Sequence, residues 1–326
     1  MLPVIINSIE VIQIVVVTIT VPFYIFLLVF MVKAQVRKVD ELATPFFKLC
    51  ISSSVIDLTT LFTNYFGAMF PKFGFFSDFY LQLDGIYGHI YFYIAWSTGI
   101  CQAMSVSVLA TNRLSAMIFP ENYQKMWLGY RLRIAIALQF IPGLCIGMFT
   151  FFNTTVLVVN ENGGVVPKFV DKRMTSTFFS FGGAFLFLNC LYLIIAYCYL
   201  LIILKKRNSR IGKTSGLIHI SKSKQKVRKS ETRLFIMCTI IVAVQLTILL
   251  FFSLKLLKFF ELSLDEFYLF YNALSDLFAC INPYLLWIFS DSLRKYVLSK
   301  LGLRKHGSGI TTGVPRLTMQ SVVPVS

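Results

Sequence analysis

Thr111–Pro120 reads TNRLSAMIFP. It follows a mostly apolar run that begins near His89, so it stands where a hydrophobic segment ends. A guanidinium does not shed its proton and must reach water, phosphate or a partner. Arg113 therefore marks a point where the chain leaves the membrane. Asn112 beside it is polar but uncharged. Pro120 lies seven residues after Arg113, where a proline ends a helix or turns it along the surface. A basic, tightly shaped helix end is a place for another protein to touch, provided that it faces the cytoplasm.

The chain of 326 residues is 56% hydrophobic and only 14% charged, with 33 phenylalanines. A soluble domain sits nearer to about 45–50% apolar. An α-helix needs roughly 20 apolar residues to span a bilayer. Seven stretches qualify, at about 11–32, 45–70, 87–111, 133–152, 176–204, 234–254 and 267–289. They fill 1–289 as one transmembrane domain. No internal repeat supports an inverted-repeat transporter, and no alternating ten-residue strands support a barrel. In 290–305, Leu293, Val297 and Leu301 recur every four residues with Arg294, Lys295 and Lys300 between them. That pattern predicts a short amphipathic helix on the inner leaflet. Residues 306–326 read as a disordered cytoplasmic tail. The expected fold is an all-α membrane protein, a seven-transmembrane helix bundle.

The net charge is +16, carried by 31 lysines and arginines. With the N-terminus outside, 25 of the 31 fall on the cytoplasmic side and six outside. This bias sets the N-terminus out and the C-terminus in. It also argues against nucleic acid as the partner of the basic charge. Eleven of these residues crowd into 205–233. That stretch works as a topology signal with attraction to anionic lipid, worth about 1 kcal/mol per charge, or as a docking surface for a cytoplasmic partner. The first lysine is Lys33, so 11–32 reads as a first span and not as a cleaved signal peptide. The seven cysteines all fall within the expected spans, which predicts no extracellular disulfide. The histidines, at 89, 219 and 306, show no metal-ligand spacing. No acid pair or serine–histidine constellation appears, so no enzyme, metal or cofactor is expected.

Polar residues inside the spans mark candidate sites. Asp57 sits near mid-membrane, where a carboxylate costs about 2.5–3.5 kcal/mol on insertion scales. It is either a hydrogen-bonded packing residue, helped by Ser52, Ser53 and Ser54, or a water- or ion-linked switch. Asn272, Ser275 and Asp276 share one helical face of the seventh span. Asn282-Pro283 breaks the same span near its inner end. Span three is aromatic outside, with Trp96, and small and polar inside, with Gly99 and Gln102 among others. Small residues suit a central helix. Trp127 reads as an interfacial anchor. Asn153-Thr154-Thr155 is a glycosylation sequon at the membrane boundary.

Together these features resemble the G-protein-coupled receptors. The rhodopsin-like family ends its third helix in acid-Arg-Tyr, with a proline seven residues after the arginine. Arg113 and Pro120 match that spacing, with Asn112 in place of the acid and Leu114 in place of the tyrosine. Asp57 resembles that family's second-helix aspartate. Asn282-Pro283 resembles its seventh-helix motif, with Leu286 at the tyrosine position. PFFKLCISSSVIDL, NRLSAMIFPENYQKMW and INPYLLWIFSDSLRKYVL are similar to the nematode serpentine chemoreceptors of the Srg superfamily, most of all class V (Srv), with class gamma close behind.

The resemblance implies a chemosensory receptor in the plasma membrane of a sensory cilium. It would bind a small molecule outside and activate a heterotrimeric G protein inside. Asn112, Arg113 and Pro120 would form the coupling face. Asp57 would link to Asn282 and Pro283. Trp96, Gly99, Asn272 and Asp276 would line a pocket between the outer parts of spans three, five, six and seven. The alternative is a transporter or channel, which needs a continuous polar path. The charge bias makes a direct prediction. Epitope tags on the two ends of the chain should label from opposite sides of an intact cell membrane, and labelling from one side would overturn the orientation.

Overall fold

The computed structural model describes residues 2–160, 163–214, 222–256 and 264–303. The stretch 306–326 lies outside them. Eight helices carry the architecture: α1 (Leu2–Val36), α2 (Pro45–Asn64), α3 (Ser77–Ile118), α4 (Tyr130–Gly147), α5 (Lys172–Thr214), α6 (Lys222–Leu256), α7 (Leu264–Phe289) and α8 (Asp291–Lys300). Six are individually long and apolar enough to cross a bilayer. The seventh, α7, meets the same test together with α8, from which it is bent by 82°. The molecule is a seven-helix bundle. Large apolar side chains such as Ile19, Phe187, Leu188 and Ile195 stay exposed on its flanks. In water that surface would drive association. In a bilayer it meets lipid tails as apolar as itself.

Helix α3 is the axis, packing on α2, α4, α5 and α6. α1 closes against α2 and α7, and α5–α6 and α6–α7 contacts complete the ring. The α3–α4 seam is set by Gly143 and Gly147, one turn apart on α4. A Cβ at Gly143 would strike the Ser97 carbonyl and Cys101, and one at Gly147 would strike Ser97 and the Tyr93 carbonyl. The backbones approach because no side chain holds them apart.

Prolines shape the helix ends. Pro45 sits in the first turn of α2 behind an extended Thr44, where its missing N–H costs nothing. Pro71 has the opposite effect further on. It cannot donate to the carbonyl four residues back and its ring crowds that group. The helix widens into a π-turn at Tyr65–Met69, then continues through Phe70–Lys72. The freed carbonyl of Gly67 accepts the Tyr87 hydroxyl, and that of Phe66 accepts the Tyr80 hydroxyl at 2.6 Å. Both tyrosines come from α3.

The structure departs from the expected architecture in two places. The second outer loop holds an antiparallel hairpin, β1 (Thr155–Val159) with β2 (Val165–Phe169), so the protein is not purely helical. Much of 205–233, read as a loop, is helical, because α5 runs on to Thr214 and α6 begins at Lys222. Lysine and arginine are good helix formers, so charge alone does not end a helix. The seam makes a prediction. Gly143→Val should overpack the α3–α4 contact at a cost of about 1–3 kcal/mol and lower the melting temperature of the purified receptor. An unchanged melting temperature would show that the contact is not close.

Candidate functional site

Two buried carboxylates organise the interior. Asp57 of α2 is 1% exposed. Its Oδ2 accepts from the Tyr24 hydroxyl of α1 at 2.7 Å and from Asn282 Nδ2 of α7 at 2.7 Å. Its Oδ1 accepts from Gln102 Nε2 of α3 at 3.1 Å. Gln102 Oε1 in turn accepts from the Ser275 hydroxyl of α7 at 3.3 Å. One acid therefore ties four helices together. Of the three serines read as its helpers, Ser54 donates to the Cys50 carbonyl, and Ser52 donates to the Leu49 carbonyl and contacts Gln139 of α4. Neither donates to Asp57.

Asp276 of α7 is 3% exposed and forms a second knot nearer the outside. Its Oδ2 accepts from Gln13 Nε2 of α1 at 2.7 Å, and its Oδ1 from Asn64 Nδ2 of α2 at 2.7 Å. This knot forms part of the wall of a cavity of about 620 Å³, which also touches Asn272, Tyr91, Phe92 and Phe169. Such a volume suits a small-molecule ligand. Buried Glu10 of α1 and Lys72 form an ion pair at the same cavity.

Trp96 and Gly99 do not join Asn272 and Asp276. They line a separate space of about 40 Å³ between α3, α5, α6 and α7, with Tyr271, Gln245 and Phe252. That volume holds little more than one water. Trp96 meets Phe178 and Phe179 edge-on at 4.8 and 4.6 Å, and the Tyr271 hydroxyl crowds Gly99. The four residues expected in one pocket thus divide between two spaces. The larger is built from α1, α2, α3, α7 and the hairpin.

At the inner end, Arg113 lies over the Phe46 ring, with its guanidinium carbon 3.4 Å from the centroid. Its Nε and Nη2 have no hydrogen-bond partner, and no carboxylate pairs with it among the described residues. It faces Cys50, Tyr197 and Cys238 on three different helices. Asn112 is fully buried, and its Oδ1 accepts from the Tyr123 hydroxyl at 3.1 Å. Ser115 donates to the Asn112 carbonyl and accepts from the Trp127 indole N–H at 2.7 Å. Trp127 is therefore a buried staple rather than an interfacial anchor. α3 ends at Ile118, and Pro120 sits exposed in the turn that returns the chain to Tyr123.

Asn153 is also buried. Its Nδ2 donates to the Asp171 carbonyl and to Thr175 Oγ1, both at 3.1 Å, and its Oδ1 accepts from the Asp171 N–H. The nitrogen that a glycan would occupy is the one making these bonds. At the other end of the chain, Ser290 caps α8 by accepting from the Leu293 N–H. Asp291 pairs with Arg233 of α6 and with Arg294. Partial burial works against its ionisation, but the bond from Arg294 and the two positive charges outweigh this and hold the carboxyl below the usual carboxylate range.

Tyr24, Gln13 and Asn64 complete the two acid knots and were not singled out from sequence. A lone polar residue in an apolar span was their only signal, and helix rotation decides whether it meets an acid.

An outward cavity, a polar knot joining α7 to α1, α2 and α3, and an inner arginine with no carboxylate partner among the described residues, on a seven-helix bundle, define a receptor of rhodopsin architecture. Squid rhodopsin superposes with a TM-score of 0.68 at 14% identity, covering 92% of this chain and 86% of that one. Residues 13–303 match the family described as "Serpentine type 7TM GPCR chemoreceptor Srv", and the chain belongs to that family. It is similar to Serpentine receptor class V-1 of Caenorhabditis elegans, 31% identical over 144 residues. That match spans 42% of this chain and 44% of the relative, so the chain spans less than half the length of the curated relative it matches.

The Asp57 knot predicts a reversal of sign. Alone, Tyr24→Phe should destabilise the receptor by about 1 kcal/mol, the worth of a buried hydrogen bond. In an Asp57→Ala background it should stabilise, because it removes a donor left without an acceptor. A double-mutant cycle on melting temperatures checks this, and additive effects would show that the two residues do not interact.

Proposed function

We propose that this protein is a chemosensory receptor that converts binding of a small external molecule into activation of a heterotrimeric G protein at its inner face. The supporting observation is α7. Asn272 and Asp276 in its outer half border the large cavity. Between them Ser275 reaches Gln102, and nearly two turns past Asp276 Asn282 reaches the Asp57 carboxylate. A ligand that repositions the outer half of α7 acts on a rod whose inner half is tied to α1, α2 and α3. Pro283 lacks an N–H for the Ala279 carbonyl, so the helix has a natural place to bend there. The ligand shifts a population between two packings of the bundle, and the G protein selects the same packing from inside.

On the inner face, Asn112, Arg113 and Pro120 form the coupling surface. Arg113 is stacked on Phe46 with two of its nitrogens buried and unpartnered, so a packing of the bundle that opens the inner end would offer these donors to a carbonyl or carboxylate of the G protein. Asn112 and Ser115 hold the helix end, and the turn at Pro120 sets where the following segment lies. Asp57, Asn282 and Pro283 act as the link between the two ends. The class resemblance supports a site of action in the plasma membrane of a sensory cilium. A transporter or channel would need a polar path between the two acids, whereas each acid is occupied by side-chain donors of its own knot.

Arg113→Ala tests the coupling role. With a reporter G protein co-expressed, it should abolish signalling, constitutive or ligand-driven, while leaving surface expression within about twofold of the parent. Normal signalling at equal expression would remove Arg113 from the coupling face.

A further inference from the structure

The outer cavity has a chemical polarity of its own. Its buried end is rich in acceptors. Asp276 receives one amide donor on each oxygen, and a carboxylate accepts about four bonds, so each oxygen has room for another. Gln13 is 7% exposed and spends its Nε2 on Asp276, while its Oε1 is buried without any hydrogen-bond partner. As the structure has it, this amide gives its N–H to Asp276 and leaves its carbonyl oxygen without a donor. Glu10, 4% exposed, adds a second buried acid at the same cavity. Lys72, which also borders the cavity, is engaged with Glu10. Above these groups the walls are apolar and aromatic, including Met69, Phe92 and Phe169. An unsatisfied buried acceptor costs about 1–3 kcal/mol, and a ligand with a matching donor removes that cost.

We infer that the cavity takes a small amphipathic amine, its ammonium group donating to Asp276 and Gln13 Oε1 and its apolar body lying against Phe92 and Phe169. This rests on the reading of the outer cavity as the ligand site. An ammonium suits the place because it supplies three donors and no acceptor, so it can satisfy Gln13 Oε1 and the spare positions on Asp276 together. It also brings a cation to Asp276, whose side-chain donors among the described residues are both neutral amides. A carboxylate head would meet those acceptors without a donor. Lys168 on the hairpin and Lys172 at the start of α5 also border the cavity, the first half-buried and the second exposed.

The test compares three probes of one skeleton: 2-phenylethylamine, 2-phenylethanol and phenylacetate. Binding is read as the thermal stabilisation of the full chain in lipid nanodiscs as each probe is titrated. The amine should bind at least about tenfold more tightly than the alcohol, since charge-assisted bonds exceed neutral ones. Phenylacetate should bind most weakly. Asp276→Asn and, separately, Gln13→Leu should each remove the advantage of the amine over the alcohol, and an advantage that survives both overturns the amine assignment. Ala68→Trp, which fills the cavity, should abolish binding of all three. If the alcohol or the acid binds best, and Ala68→Trp still blocks it, the amine assignment is overturned and the cavity remains the ligand site. If binding survives Ala68→Trp, or none of the probes binds, both fall.

Discussion

A carboxylate in the middle of an apolar bundle must be solvated by the protein itself. Removing Asp57 from water without partners would cost several kcal/mol, and lipid offers nothing in return. The bundle answers with three donors from three other helices, Tyr24, Gln102 and Asn282. Each donor has few rotamers that reach the acid, so the rotation and depth of its helix are fixed by the bond. Apolar packing between membrane helices is nearly indifferent to such rotations, because lipid and leucine are alike. One acid therefore specifies what the hydrophobic contacts leave loose. Asp276 repeats the device nearer the outside with Gln13 and Asn64. Both acids depend on α1 and α7, so these helices are held at two depths.

The seven spans were legible because lipid demands long apolar runs, and the two acids were legible because such runs tolerate few charges. What the sequence left open was partnership. Gln13 and Asn64 look like any polar residue in a span until helix rotation brings them against Asp276. Trp96 and Gly99 share a helix face, as do Asn272 and Asp276, but α1 and the hairpin shift the large cavity toward α2 and α7. The hairpin was hidden because TVLVV at 155–159 is too short and too apolar to stand apart from the neighbouring spans. Asp57 and Asn282 were linked in advance only by a family resemblance. The structure adds Tyr24 and Gln102, which turn that link into a knot.

The run from Asn112 to Trp127 shows how a motif can be a fold within a loop. Asn112 and Ser115 lie on one face of the last turn of α3, three residues apart. Pro120 turns the chain, and Tyr123 and Trp127 then come back to donate to those same two residues. The spacing of the four is thus set by the geometry of one return. Arg113 lies between Asn112 and Ser115 in sequence but takes no part in these bonds, and its Nε and Nη2 are buried without a partner.

The outer end meets a related problem without covalent help. All seven cysteines are free, so the hairpin that borders the cavity is held by weaker bonds. Thr155 donates to the Gly85 carbonyl at 2.9 Å, Asn160 donates to the Lys72 carbonyl at 2.9 Å, and Phe169 stacks on Phe92 at 3.9 Å. Asn153 ties the strand to the start of α5. Each net bond is worth only about 1 kcal/mol, less than the roughly 2–4 kcal/mol of a typical disulfide. Lys72 belongs to both sets of contacts, accepting from the hairpin through its carbonyl and pairing with Glu10 through its side chain. Through this one residue the outer end of the second span is joined both to α1 and to the hairpin, so the rim of the cavity is held by a single chain of contacts that runs from Glu10 to Asn160.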